Sequence, residues 1–459
     1  MMPLPHPMFE GAVFPSVPRT QAAVLLAVQQ QLGDSQFFAA DVLQMRQFEQ
    51  IATLVAHIDR HVPYYGLSLR RVGIRPGEPI TNAMWQRVPV LTRRAVQDAG
   101  ETLFATSVPA SHGEIGELTT SGTSGLSVRI RHTGLHQLYL QSFELREEMW
   151  QQRDLQGRSI GIRRDETRRD FSGKVHLRRL PDWGGPVATV YPTGLSTILD
   201  YRSTVEDQVA VVQAEAPAYL TAYPSVLTEL LRHCRAHGLS FPGLKGVRTV
   251  REVLSPETRA LTWELLGVGI TDVYSCAEAG ALALQCPEHG AYHLQQENAL
   301  IEVLDDDGQP CMPGMIGRVV VTPLHNFAMP LLRYEIGDLA EVGEPCPCGR
   351  TLPVIARIVG RARDMLTLPD GGKRYPYYGH NALVAIRAIR QHQVIQRSVH
   401  DVEIKLVVSR PLTAEEEGRI KAIATDGMGH PFAITLSYVD EIRREASGKY
   451  AEFRSDLID

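Results

Sequence analysis

Thr119-Thr120-Ser121-Gly122-Thr123-Ser124-Gly125 packs five hydroxyls and two glycines into seven residues. Glycines let backbone amides approach an anion and hydroxyls add donors, so the run suits a loop that cradles phosphate. No Gly-Lys-Ser/Thr follows, which excludes a Walker A loop, and the same composition also suits a surface turn. Tyr274-Ser275-Cys276-Ala277-Glu278-Ala279-Gly280 offers a ring that can stack on a base and a carboxylate that can hold Mg²⁺ on a nucleotide. In Leu332-Arg333-Tyr334-Glu335-Ile336-Gly337-Asp338-Leu339, Asp338 can accept from both hydroxyls of a ribose. Near the end of the chain, Lys449 follows Ser447-Gly448 and can project from a turn toward a developing anion. Each of these three has a plain alternative: a strand end with an exposed Glu, a turn Asp, a solvated basic loop.

Thiols form a further set. Cys346-Pro347-Cys348-Gly349-Arg350 puts two on one tight turn, and Cys286-Pro287-Glu288-His289-Gly290-Ala291-Tyr292-His293 lies upstream. Two sulfurs from one turn, with a Cys and a His from another segment, make a tetrahedral Zn²⁺ set. His289 and His293 compete for the nitrogen position; His293, at the strand-like start Tyr-His-Leu, is preferred, and free buried thiols are the alternative. Cys234, Cys276 and Cys311 read as small apolar residues.

These segments need elements to position them. Residues 1–20 carry five prolines and read as an irregular arm, whereas 41–62 is helical in period, with Leu43, Phe48, Ile51, Leu54 and Ile58 on one face. A second helix is expected near 92–100, after Thr92. From about 155 to 280 strands and helices alternate: strands at 159–162, 218–222, 247–250 and 270–274, helices at 205–216 and 225–237 and another opened by Ser255-Pro256-Glu257. The alternation predicts an α/β domain with largely parallel pairing, so Glu278 follows the end of a strand, where such sheets bind ligands. Residues 300–358 read as a β-rich subdomain and 361–459 as a small α+β unit, which places the domain boundary at 360/361. Tyr191-Pro192-Thr193-Gly194 and Ala222-Tyr223-Pro224-Ser225 are candidates to line a pocket, and equally ordinary strand-end turns.

Composition excludes other classes. With 47 Lys+Arg against 52 Asp+Glu, the net charge of −5 does not suit a nucleic-acid binder. No apolar run nears the roughly 20 residues of a membrane helix, and the N-terminus lacks the basic-then-apolar order of a signal peptide. Six cysteines in 459 residues are too few for a disulfide scaffold and suit a reducing, cytoplasmic setting.

The order of the motifs resembles the acyl-adenylating ligase superfamily, and within it the phenylacetate–CoA ligase-like group. TTSGTSGLS resembles its phosphate loop, VREVLSPETR and YSCAEAG its Gly-Glu and Tyr-Gly-x-Thr-Glu segments, LLRYEIGDL its Arg-Tyr-x-x-Gly-Asp segment, GRARDM its hinge and EASGKYAEFR its terminal Ser-Gly-Lys motif. The N-terminal stretch HVPYYG to RVPVLTRRAV and the segment CPCGRTLPVIARIVGR also look like this group, so the resemblance covers roughly residues 40–459. It implies a large adenylating domain and a mobile C-terminal domain that rotates about the hinge. Ser121, Gly122, Thr123, Ser124 and Gly125 would cradle the phosphates of ATP, Tyr274 would pack on adenine and Glu278 would ligate Mg²⁺. Glu252 would join the nucleotide-binding set, Asp338 would hold the ribose with Arg361 near it, and Lys449 would reach the substrate carboxylate and α-phosphate. The implied reaction joins a small-molecule carboxylic acid, of aryl or arylalkyl type, to AMP with release of pyrophosphate, then passes the acyl group to coenzyme A. An amine or carrier-protein thiol as acceptor, and AMP transfer to a cofactor hydroxyl, are the alternatives; similar proteins are commonly dimers. The sequence departs from the family at Leu126, where relatives carry Lys, at Arg251, where they carry Gly, at Ser275-Cys276, at Arg363 beside Asp364 in the hinge, and over 366–373.

Overall fold

A computed structural model of the chain describes residues 3–66, 68–119, 128–165, 175–361, 365–374, 386, 388–442 and 453–457. Two compact units emerge, one of Met1–Ile336 with Ala340–Ile358, the other of Gly337–Leu339 with Val359–Asp459.

The first unit opens with helices Thr20–Ser35 and Ala40–His61, the second of which buries Leu43, Phe48, Ile51, Leu54, Val55 and Ile58. Helix Arg93–Ala99 is capped by Thr92, whose hydroxyl accepts from the Ala95 amide. A two-stranded ladder, β1 (Ile115–Thr119) with β2 (Arg129–Thr133), leads into helix Gly134–Gln151. Twelve strands then build one mixed sheet: β3 (Ser159–Ile162), β4 (Leu177–Leu180), β5 (Ser196–Leu199), β6 (Tyr219–Ala222), β7 (Gly246–Val250), β8 (Ile270–Cys276), β9 (Gly280–Gln285), β10 (Tyr292–Leu294), β11 (Ala299–Leu304), β12 (Ile316–Pro323), β13 (Tyr334–Val342) and β14 (Val354–Arg361). Their order is β11-β12-β13-β14-β10-β9-β8-β7-β6-β3-β5-β4. The run β5-β3-β6-β7-β8 is parallel, as the alternation of elements predicts, and β4 and β9 close it with antiparallel pairing. The β-rich residues after 300 form no separate sheet; β11 to β14 continue this one.

Helices Val205–Glu215, Pro224–His237 and Pro256–Leu266 contribute Val209, Leu227 and Leu261 to a core shared with Ile160, Leu220 and Val247 of the sheet. Gly238 and Gly267 end two of these helices in the left-handed conformation. On the other face of the same strands, Ser159, Gly161, Tyr219, Thr221, Gly246 and Arg248 are only half-buried. A parallel sheet is usually covered on both sides, so this face is unusual in the fold.

Two long helices carry no clear periodicity in the sequence. Gly134–Gln151 buries His136, Ser142, Arg146 and Glu147 alongside Phe143, Leu145 and Trp150, so its inner face is not an apolar stripe. Thr20–Ser35 starts at the end of the stretch read as an irregular arm and buries Gln29 with Ala22, Leu25 and Leu32.

The second unit holds a four-stranded sheet ordered β17-β16-β15-β18, from β15 (Ile389–Gln396), β16 (Asp401–Val408), β17 (Ala433–Tyr438) and β18 (Phe453–Ser455). Helix Ala414–Met428 packs on it through Ile420, Ala424 and Met428 against Ile404 and Leu406. A full capping box at Thr413 and Glu416 starts that helix. Among the described residues no helix is long and apolar enough to cross a membrane.

Candidate functional site

β8 and β9 form a hairpin with a register irregularity between Tyr274 and Ser275. Tyr274 and Glu278 are both buried there, Glu278 at 5% exposure, within the turn Ala277–Ala279. Gly280 closes the turn with φ of 70°, and a Cβ at that position would lie 2.4 Å from Leu140 Cδ2. Only glycine meets both demands. Asn298, 2% exposed, fixes the turn from the next layer: its Nδ2 donates to the carbonyls of Ala279 at 2.6 Å and Ala281 at 2.9 Å. Sequence motifs gave no sign of this side chain, because it lies outside the segment it holds.

Glu252 follows β7. Its Oε2 accepts from the Ser225 amide at 2.9 Å, in the first turn of helix Pro224–His237. A carboxylate at a helix N-terminus satisfies an orphan amide and complements the helix dipole. Arg251, just before it, has φ of 72°. A left-handed backbone favours glycine, so an arginine here is a costly residue.

The Arg-Tyr-x-x-Gly-Asp segment divides its labour. Arg333 is 3% exposed, pairs with Glu302 through Nη2 at 3.0 Å and donates to the carbonyls of Gln86 and Val88 at 2.9 and 2.7 Å. It therefore pins the N-terminal segment to the sheet, together with the Leu91 amide, which donates to the Arg333 carbonyl. Within the second unit, Asp338 follows Gly337, whose φ is 86°, and accepts from Arg361 Nε at 2.9 Å. The structure thus brings together the two residues that the resemblance assigns to the ribose.

Cys286, His293, Cys346 and Cys348 also come together, with their ligand atoms all within 4.8 Å of one another. Cys346 Sγ lies 3.9 Å from Cys286 Sγ, and Cys348 Sγ lies 3.4 Å from His293 Nε2. A tetrahedral Zn²⁺ with ordinary bond lengths needs about 3.8 Å between sulfurs and about 3.5 Å between sulfur and nitrogen. His293 Nδ1 faces the Leu352 carbonyl at 3.3 Å, which leaves Nε2 for the cluster. Burial pushes the His293 imidazole down and the Cys346 thiol up to about 11. Burial opposes ionisation of Cys348 too, yet hydrogen bonds from Arg350 hold that thiol below its usual value. His289 is exposed on the intervening turn. Trp150 meets the His293 ring edge-on at 5.8 Å, and the Arg350 guanidinium stacks 4.6 Å above Trp150.

Ser121, Gly122, Thr123, Ser124 and Gly125, with Leu126, Arg363, Asp364 and Lys449, lie outside the described residues. Of the pocket candidates, Tyr223 lines a cavity of about 830 Å³ on the half-buried face of the sheet. Tyr191 instead packs in a core cluster with Leu145, Leu155 and Val187.

Phenylacetate–coenzyme A ligase of Thermus thermophilus is 32% identical over 234 residues, 48% of this chain and 52% of that protein. The enzyme of the same name from Escherichia coli is 21% identical over 372 residues, 78% of this chain and 80% of the relative. In sequence the chain is similar to these phenylacetate–coenzyme A ligases. The match spans about half the length of the Thermus relative. A CapK C-terminal domain matches residues 368–455, inside the second unit. The fold is that of solved acyl-adenylating enzymes. A 2-hydroxyisobutyryl-CoA ligase in the postadenylation state superposes with a TM-score of 0.70 at 18% identity, covering 91% of this chain and 90% of the other. The anthranilate CoA ligase AuaEII, in complex with anthranoyl-AMP, superposes at 0.52 with 16% identity, covering 74% and 66%.

Proposed function

We propose that the chain is an ATP-dependent carboxylic-acid–CoA ligase acting on an aryl or arylalkyl acid. The observation that carries the reading is the buried turn at the end of β8, which holds Tyr274 and Glu278 where α/β sheets bind ligands. The acid's carboxylate attacks the α-phosphorus of ATP, forming an acyl-adenylate and releasing pyrophosphate. The thiol of coenzyme A then attacks the acyl carbon and AMP leaves. The first barrier comes largely from bringing two anions together. Mg²⁺ at Glu278 would neutralise phosphate charge. Tyr274 packs on the adenine, Glu252 completes the nucleotide set, and Asp338, oriented by Arg361, takes the ribose hydroxyls. Lys449 and the loop Ser121–Gly125 supply the cation and the donors for the phosphates. All six cysteines are free thiols, which suits a reducing cytoplasm.

We propose further that Cys286, His293, Cys346 and Cys348 bind one structural Zn²⁺, since the spacing of their donor atoms matches a tetrahedral site. It would tie the turn after β9 to the loop before β14.

Pyrophosphate exchange over a panel of aromatic, heteroaromatic and short aliphatic acids tests the ligase reading, with acyl-CoA formation as the second readout. Exchange with at least one aromatic acid, followed by thioester formation at a comparable rate, is expected. Absence of exchange across the panel overturns adenylation; exchange without thioester overturns coenzyme A as acceptor.

A further inference from the structure

The cavity of about 830 Å³ lies against the half-buried face of the parallel strands. Its floor is small and polar, with Ser159, Gly161, Thr221, Gly246 and Thr271, and helix Gly134–Gln151 contributes Glu144, Glu148 and Gln151 to its lining. Three arginines line it where the chain leaves the strands: Arg163 and Arg164 after β3, and Arg251 after β7. The strands are parallel through β6, so these three share the edge at which such sheets bind ligands.

These arginines differ from the other cations of the cavity. Arg153 pairs with Glu147 and Glu148, Arg248 with Glu147, Lys245 with Asp154, and Arg259 donates to the Ile270 carbonyl. No ion pair links Arg163, Arg164 or Arg251 to a carboxylate among the described residues. Arg163 lies back along the sheet, its Nε 3.5 Å from where a Cβ on Gly161 would stand, so the absence of a side chain at Gly161 gives its guanidinium room. Burial pushes the Glu144 and Glu148 carboxyls above their ordinary range. Arg251 holds a left-handed backbone, which an arginine adopts only at a cost.

We infer that the acid activated by this chain carries a second anionic group, which Arg251 grips together with Arg163 and Arg164 at the mouth of this cavity. The inference rests on the acid-ligase reading. The guanidinium fork matches a carboxylate or phosphonate with paired hydrogen bonds. An acid lacking the second anion forfeits those charge-assisted bonds.

Pyrophosphate exchange with matched acids tests it: phenylacetate against phenylacetates bearing a ring carboxylate or phosphonate, with wild type, Arg251→Gly and Arg163→Gln. Glycine also relieves the left-handed backbone, so the first variant folds at least as well as wild type. Wild type is expected to favour the dianionic acid in kcat/KM by about 10- to 100-fold, the worth of one or two hydrogen bonds to a charged group. Arg251→Gly is expected to bring that ratio near one, and Arg163→Gln to lower it. A wild-type preference for the monoanion, or a ratio that Arg251→Gly leaves in place, overturns the inference. Should no acid support exchange, the ligase reading fails, and calorimetric titration of the dianionic acids decides the site by itself. Binding lost in Arg251→Gly keeps the anion site; no binding, or equal binding to both proteins, removes it.

Discussion

Asn298→Ala tests whether the turn carrying Glu278 is held from outside its own segment. The side chain is 2% exposed and donates to two carbonyls, those of Ala279 and Ala281. Alanine removes both donors and leaves two carbonyl lone pairs in a pocket that water does not reach. At about 1–3 kcal/mol for a buried polar group left unmade, and with each carbonyl keeping other lone-pair capacity, the expected loss of stability is about 2–4 kcal/mol. The activity should fall further than the stability, because the released turn carries the Glu278 carboxylate. Denaturant unfolding measures the first quantity, and pyrophosphate exchange well below the unfolding transition measures the second. Asn298→Asp sharpens the test, since it keeps the size but turns oxygen toward two carbonyls, and it should cost more than alanine on both readouts. If Asn298→Asp matches wild type in either assay, or if Asn298→Ala loses stability with full exchange activity, the side chain does not set the turn.

Other consequences follow from neighbouring features. Gly280→Ala should destabilise by about 2–3 kcal/mol, combining a left-handed alanine with a methyl 2.4 Å from Leu140 Cδ2; Leu140→Ala in the same chain should recover part of it in chemical denaturation. Metal analysis should find one zinc per chain in the wild type and much less in Cys348→Ser, with a lower melting temperature; wild-type protein free of zinc after mild purification would remove the metal site. Burial holds His136 down at about 3 and His325 at about 4, against 6.5 in the unfolded chain. Between those values the unfolded chain binds protons that the native chain refuses. Stability should therefore be full above about pH 6.5 and decline as pH falls toward 4, by up to about 1.4 kcal/mol per pH unit for each histidine. His136→Leu should flatten that slope in denaturation series from pH 4.5 to 7; an unchanged slope would show that His136 does not carry it.

Elements whose signals are local could be read from the chain. Thr92 and Ser255 cap the helices that follow them, and the strand–helix alternation from 155 to 280 gives the parallel run of the sheet. The paired thiols of Cys346 and Cys348 pointed to a second segment with a histidine, and the preference for His293 over His289 rested on the strand it begins. What stayed hidden depends on distance along the chain. Helix Gly134–Gln151 escaped because its buried face is spent on polar partners: Arg146 meets Gln295, Glu297 and the Leu32 carbonyl, residues more than 100 positions away. Arg333 belongs to a motif that reads as ligand-binding, yet its guanidinium ties Glu302 to the carbonyls of Gln86 and Val88. A motif therefore mixes residues that meet the ligand with residues that hold the chain in place, and only partners distant in sequence tell them apart.

Arg251 shows the same point from the opposite side. In the sequence it is a departure from the glycine that the resemblance leads one to expect. The structure adds that its backbone is left-handed, that its neighbour Glu252 is fixed on the Ser225 amide, and that its side chain lines a cavity with two other arginines that have no carboxylate partner among the described residues. Drift toward a β-carbon at a left-handed position is opposed by about 1–2 kcal/mol, whereas lysine or arginine at an ordinary surface position costs almost nothing. A cation placed at that penalty, beside two more that require no strain, is better explained by an anion it meets than by the fold, which glycine would serve at lower energy.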